Sequence, residues 1–162
     1  HIPPAGKGVL RWPLSNIFIT QQFGKTSSSQ RLYVSGTHNG VDFRASIGTP
    51  VRAALSGTVL ASNYGSVPYC QYGQWVLIKH QNGLATLYAH LSDINVQNGA
   101  IVSTGQVIGF SGNTGYSVGP HLHLGVYVAE AILFKQFTCW NKSVVTIPIA
   151  PPNAYLNPLS YL

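Results

Sequence analysis

Gln81-Asn82-Gly83 stands between two apolar runs, residues 75–80 and 84–91. Asn-Gly readily takes the positive φ angles of a tight reversal, so the two runs are expected to pair as an antiparallel hairpin. The same punctuation recurs along the chain. Residues 48–61 read as short strand, glycine turn and short strand, and residues 99–109 echo that pattern weakly. Further strands are expected over residues 16–23, from Val41 to Pro50, over 121–128 and over 143–147, with loops over 64–72 and 112–120. Residues 1–15, with Pro3, Pro4, Gly6, Gly8 and Pro13, read as an extended lead-in. Nowhere does an apolar 3.6-residue period persist long enough for an α-helix. The expectation is an all-β chain, mostly antiparallel, with few or no helices.

The chemistry-bearing residues gather in three segments. His38-Asn39-Gly40-Val41-Asp42 places a carboxylate four residues after a histidine. In a straight strand that separation is about 13 Å, whereas two ligands on one zinc have donor atoms about 3–4 Å apart. If His38 and Asp42 share a metal, the chain bends between them, and Asn39-Gly40 permits that. His121-Leu122-His123 puts both imidazoles on one face of a strand, and His90 lies on the expected return strand of the hairpin. Four of the six histidines therefore fall where they can meet. Three protein ligands and a water are what catalytic zinc requires. Two neutral imidazoles and one carboxylate leave the ion net positive, so that it acidifies the water and polarises a carbonyl. The HExxH signature is absent, and Glu130 stands about 23 Å along an extended strand from His123. A histidine is then the available acid or base near neutral pH, and either member of the HxH pair is open as ligand.

Composition narrows the partners. Net charge is +6, yet the nine Lys and Arg residues are scattered. Nucleic-acid modules carry a basic stripe with a recognisable motif, and none is present, so no nucleic acid is expected. A diffuse positive charge suits an anionic cell wall. No apolar run approaches the roughly 20 residues that cross a bilayer as a helix. A chain that begins at His1 without Met is expected to be processed or a piece of a longer protein. Cys70 and Cys139 show no CxxC spacing, which argues against a second metal site and leaves a disulfide of an oxidising compartment open.

Taken together, His38-Asn39-Gly40-Val41-Asp42, Leu87-Tyr88-Ala89-His90-Leu91, Gly112-Asn113-Thr114-Gly115 and Gly119-Pro120-His121-Leu122-His123 resemble the lysostaphin/LytM-type zinc peptidases. Gly48-Thr49-Pro50-Val51 and Gly57-Thr58-Val59 fit the same pattern. The resemblance implies one Zn2+ per chain, held by His38, Asp42 and His123, with His90 and His121 as catalytic histidines. It implies an antiparallel two-sheet sandwich with the zinc site in a groove, and hydrolysis of peptide cross-links of bacterial peptidoglycan by a zinc-bound water. Domain organisation follows as a core over residues 34–128, an N-terminal extension and loop over 1–33 and a C-terminal extension over 129–162, within a single domain. Residues 24–30 read as a mobile loop near the site entrance. The expected location is extracellular, periplasmic or cell-wall associated, and the expected state a monomer. In such an exported domain Cys70 and Cys139, both outside the family pattern, are expected to pair.

The remaining candidates are secondary. His80, beside the hairpin turn, is expected to be exposed. Asp93 either orients the imidazole of His90 or caps a turn, and Tyr33, Tyr88 and Tyr116 are open as groove or oxyanion residues. A cupin-type site would need a later carboxylate and histidine that are lacking. A lipoyl-type carrier would need a lysine at a hairpin tip, and Lys79 is a poor one. A non-catalytic relative that activates cell-wall amidases is the alternative; it would be expected to lack ligands, and all five positions are filled here.

Overall fold

The computed structural model describes residues 1–24 and 38–162. The expected entrance loop at 24–30, beyond Gly24, and Tyr33 lie outside the described residues. Among the described residues twelve strands follow in order: β1 Ile19–Gln21, β2 Val41–Arg44, β3 Pro50–Arg52, β4 Gly57–Asn63, β5 Gln74–Lys79, β6 Leu84–Ile94, β7 Ile101–Val102, β8 Val107–Ser111, β9 His121–Val128, β10 Leu133–Thr138, β11 Val144–Ile149 and β12 Tyr155–Leu156. Every pairing is antiparallel, and the only helical pieces among the described residues are three short 3-10 turns. The all-β expectation holds.

The strand order β1-β2-β9-β6-β5-β4-β7 makes the main layer. The far half of β6 leaves it to pair with β8, which pairs in turn with β3. The core lies between, where Val51 and Ile108 of the second layer join Phe43, Leu122, Leu124 and Tyr88 of the main one. The two sequence echoes prove to be partners of each other, since β3 pairs with β8 and β4 with β7. In the central hairpin His80 N donates to Leu84 O, and of the Asn-Gly pair Gly83 alone takes positive φ, at 89°. A three-residue reversal with one left-handed glycine replaces the two-residue turn that Asn-Gly suggests.

Three expectations change. β2 stops at Arg44 rather than running to Pro50, because Ser46 to Thr49 closes a turn around Gly48, whose φ is 90°. His80 is buried, not exposed. Its Nδ1–H donates to Ser56 O at 2.9 Å, and Thr86 Oγ1 lies 2.9 Å from its Nε2. Burial lowers its pKa and keeps the ring neutral. Third, β10 and β11 form a separate two-stranded sheet, although only residues 143–147 carry a strand signal in the sequence. All six β10 residues are exposed. A strand that buries no face has no alternating pattern to read.

Cys70 and Cys139 are bridged. The link ties the tip of the β10–β11 hairpin to the loop before β5, and Trp140 Nε1–H donates to Pro68 O beside it. Closing 69 residues stabilises by about 4 kcal/mol in the chain-entropy description. Alkylation without reductant is expected to leave the intact mass unchanged. The Cys70→Ser/Cys139→Ser double variant is expected to unfold at lower denaturant by about that free energy.

Candidate functional site

The β2–β9 register builds the site. Asp42 stands opposite His123, with Val41 opposite Leu124 and Phe43 opposite Leu122. Val41, Phe43, Leu122 and Leu124 are fully buried in the core. Each such side chain contributes about 1.5–3 kcal/mol, so a one-residue slip, which would turn them outward, is strongly disfavoured. The period of two then sends Asp42, His121 and His123 together to the opposite face. His38 is held before β2 by a two-way backbone bridge to Gly24, at 2.8 and 2.9 Å. Gly40 is required by space rather than by its φ angle. A Cβ there would stand 2.4 Å from Leu124 O and 2.7 Å from the His123 ring.

His123 Nδ1 lies 2.9 Å and His38 Nε2 3.3 Å from the same oxygen, Asp42 Oδ1. His38 Nδ1 is 3.0 Å from Gln22 O. A carbonyl only accepts, so Nδ1 carries a proton, and without a second proton Nε2 turns a lone pair toward a carboxylate oxygen. Two acceptors so placed repel unless a cation or proton lies between them. His123 Nε2 is buried without a hydrogen-bond partner among the described residues, packed against Gly40. Its ring is therefore oriented by what its Nδ1 faces. Burial alone would raise the Asp42 carboxyl, but hydrogen bonds and charge from His123 and His38 outweigh that and hold it far below the usual carboxylate range. Burial also pushes His123 down. Two imidazoles and an ionised carboxylate, with one donor atom each within 4.8 Å of the others, match the donor set of a zinc site.

His90 reaches this face by a defect in β6. Val76 pairs with Tyr88 and Gln74 with Leu91, so β6 carries one extra residue there. His90 takes φ 62° within that bulge. Without it, strict alternation would place His90 beside Tyr88 in the core; bulges re-aim side chains in this way. Its Nδ1–H donates to Thr114 O at 2.7 Å, leaving the Nε2 lone pair to the cleft. Burial, reinforced by His121 and His123, pushes its pKa down to about 3, so the ring is neutral. The His121 ring lies 4.7 Å away, with Nδ1 2.9 Å from Gly119 O and Nε2 3.8 Å from Asp42 Oδ2. The structure thus brings all five sequence candidates together.

Other candidates separate. Asp93 accepts from Ile94 N, a local cap, and Thr114 rather than Asp93 orients His90. Tyr88 lies in the core, where its hydroxyl accepts from Ala54 N. Glu130 is exposed on a 3-10 turn, near the N-terminus. Tyr116 lines the cleft with Asp42, His90 and His121. Tyr72 is the residue missed. It ends a segment that composition reads as surface loop, yet its hydroxyl accepts from Asn39 Nδ2 at 2.9 Å and its ring lies 5.6 Å from that of His123. Burial pushes that phenol up to about 12, so it stays protonated. The Gly-Asn-Thr-Gly run also gains a reason. Thr114 positions His90 while its hydroxyl donates to Leu91 O, and a Cβ on Gly115 would stand 2.2 Å from Gly73 N.

The cleft above these residues is about 350 Å³. A larger depression, about 930 Å³, lies by Ser56, Lys79, His80 and Glu130. The histidine and carboxylate chemistry is at the smaller one.

Residues 36–133 match Peptidase family M23. Peptidoglycan DD-endopeptidase ShyA of Vibrio cholerae is 48% identical over 91 residues, which cover 56% of this chain and 20% of that protein. Lysostaphin of Staphylococcus simulans is 47% identical over 91 residues, 54% of this chain and 17% of that protein. The chain thus spans about a fifth of the length of these relatives. Among solved structures, the catalytic domain of the antimicrobial peptidase lysostaphin from Staphylococcus simulans superposes with a TM-score of 0.65 at 29% identity, covering 89% of this chain and 90% of that one.

Proposed function

The chain belongs to peptidase family M23, and from that premise we propose that it is a zinc-dependent endopeptidase of exported location, hydrolysing peptide cross-links of bacterial peptidoglycan. The observation that carries the reading is the convergence of His38 Nε2 and His123 Nδ1 on one oxygen of Asp42, with His90 and His121 beside them. His38, Asp42 and His123 are the residues to hold the ion. A zinc ion held by them supplies Lewis acidity, which polarises a peptide carbonyl and acidifies water.

His90 is the proton acceptor in this reading. Its Nδ1 proton is fixed on Thr114 O and its ring is neutral, so Nε2 has only a lone pair to offer. His121, whose Nδ1–H donates to Gly119 O beside Ser117 Oγ, presents Nε2 to the cleft, where its imidazolium form offers a proton to the developing oxyanion. Tyr72 orients Asn39 and backs the His123 ring. Only three acids occur in the sequence, and Asp42 sits between histidines, so the chain lacks the carboxylate pair of an ordinary glycosidase. Residues 34–128 form the peptidase core in this reading, flanked by the 1–33 and 129–162 extensions.

Digestion of purified peptidoglycan, with and without a zinc chelator, tests it. New amino termini without new reducing ends are expected, and the chelator is expected to abolish them. New reducing ends alone would overturn the peptidase reading, and chelator-insensitive cleavage the metal.

A further inference from the structure

We propose that Tyr69, Trp140 and Tyr116 form a stacking platform for the glycan strand of the wall polymer, along the rim of the cleft that takes its peptide. The inference rests on the wall-peptidase reading and adds a second subsite to it.

Tyr69 is 70% and Trp140 69% exposed, and Tyr116 40%. Single exposed aromatics are ordinary. These three are cross-linked. Tyr69 N donates to Gly115 O at 3.1 Å, one residue before Tyr116, and Tyr116 N donates to Gln71 O at 2.8 Å. Cys70, next to Tyr69, is bridged to Cys139, next to Trp140. The indole is not left to rotate, because its Nε1–H donates to Pro68 O at 2.6 Å. Tyr69 is held at φ 62° and Gln71 at 54°, conformations that glycine or asparagine would take more readily. The fold therefore holds three aromatic residues that fill none of its core close together, Tyr69 at a backbone conformation unfavourable to it and Trp140 with its ring tethered.

The surroundings select the occupant. Tyr116 lines the cleft with His90 and His121, and the backbone bonds and the disulfide tie the Tyr69 and Trp140 segments to it. Next to them in the chain stand exposed polar residues, Ser66, Asn113 and Asn141, interspersed with exposed Pro68 and Val118. A sugar ring offers the matching surface, with C–H groups on its face and hydroxyls around its edge. Flat, rigid aromatic faces with polar tips suit such a ligand at little entropic cost. None of the three acids of the sequence lies in the contributing segments, while Lys142 does, which suits an anionic wall.

The Tyr69→Ala/Trp140→Ala variant separates the possibilities, with intact mass confirming that the disulfide has formed. On intact wall kcat/KM is expected to fall on the order of tenfold, mainly through KM, while cleavage of a short cross-linked peptide without sugar stays unchanged. Peptide-free glycan strands are expected to bind the unaltered chain in calorimetry and not the variant. Equal loss on both substrates would make the rings structural supports of the cleft. Unchanged turnover of wall, glycan binding retained in the variant, or no glycan binding by the unaltered chain would each overturn the platform. Self-association lost in the variant would make the rings a contact between copies and overturn it too. Failure of the peptidase reading shows separately, as no cleavage of either substrate by the unaltered chain, while the calorimetry contains no peptide and reads the platform alone.

Discussion

Elemental analysis of His123→Ala and Asp42→Ala protein is expected to find no stoichiometric zinc, where the unaltered chain is expected to carry one ion. Catalytic zinc has three protein ligands and a water, so each ligand is a third of the protein's hold on it. Removing a hydrogen-bond partner behind a ligand already costs about 10–100-fold in affinity; removing a ligand costs more. The local balance points the same way. Asp42 lies beside two imidazoles whose far sides are fixed, His38 by Gln22 O and His123 by packing on Gly40. Neither ring can swing in to replace a lost donor. His121 Nε2, 3.8 Å from Asp42 Oδ2, is the nearest substitute, and its Nδ1 is tied to Gly119 O. The variants should keep their sheet, because all four core neighbours in β2 and β9 remain. Metal content is therefore to be measured alongside the far-ultraviolet spectrum. Stoichiometric zinc in folded His123→Ala would remove that residue from the ligand set.

How much of this was legible depends on which force set each residue. The HxH pair reads directly, since a strand has period two and Leu122 and Leu124 fix which side is inside. The bend between His38 and Asp42 was legible from distance alone. The reason for Gly40 was not, because the close approach of Leu124 O and the His123 ring comes from a segment some eighty residues away. His90 shows the limit most clearly. Its residue type and neighbours mark it as a candidate, but regular pairing would bury it beside Tyr88, and only the bulge brings it to the site. His80 misleads in the opposite sense: it adjoins a turn, yet Thr86 on the returning strand and Ser56, 24 residues back, enclose it. Tyr72 gives no local signal, being one of nine tyrosines in a loop-like stretch. β10 escapes because its pairing with β11, rather than a buried face, holds it in place.

His90→Ala and His121→Ala are expected to retain zinc and fold but to lose activity on the order of 10²–10⁴-fold, the range for a lost acid–base group. Neither side chain lies in the His38, Asp42 and His123 cluster. His90 is the sharper test of the two. Its folded pKa, about 3, lies below its ordinary value, so its neutral form persists at mildly acidic pH. An ordinary histidine would already be half protonated near pH 6.5. The acid limb of kcat/KM should then reflect some group other than His90, and the His90→Ala variant should keep the midpoint of that limb while losing height. Restoring a neutral acceptor with His90→Gln should recover little, because an amide is a far weaker base than an imidazole. If either alanine variant loses zinc while His38→Ala retains it, the two sets of histidines have exchanged roles. If His90→Ala keeps full turnover with bound metal, the proton is taken elsewhere, and the bulge in β6 has served some purpose other than delivering a base.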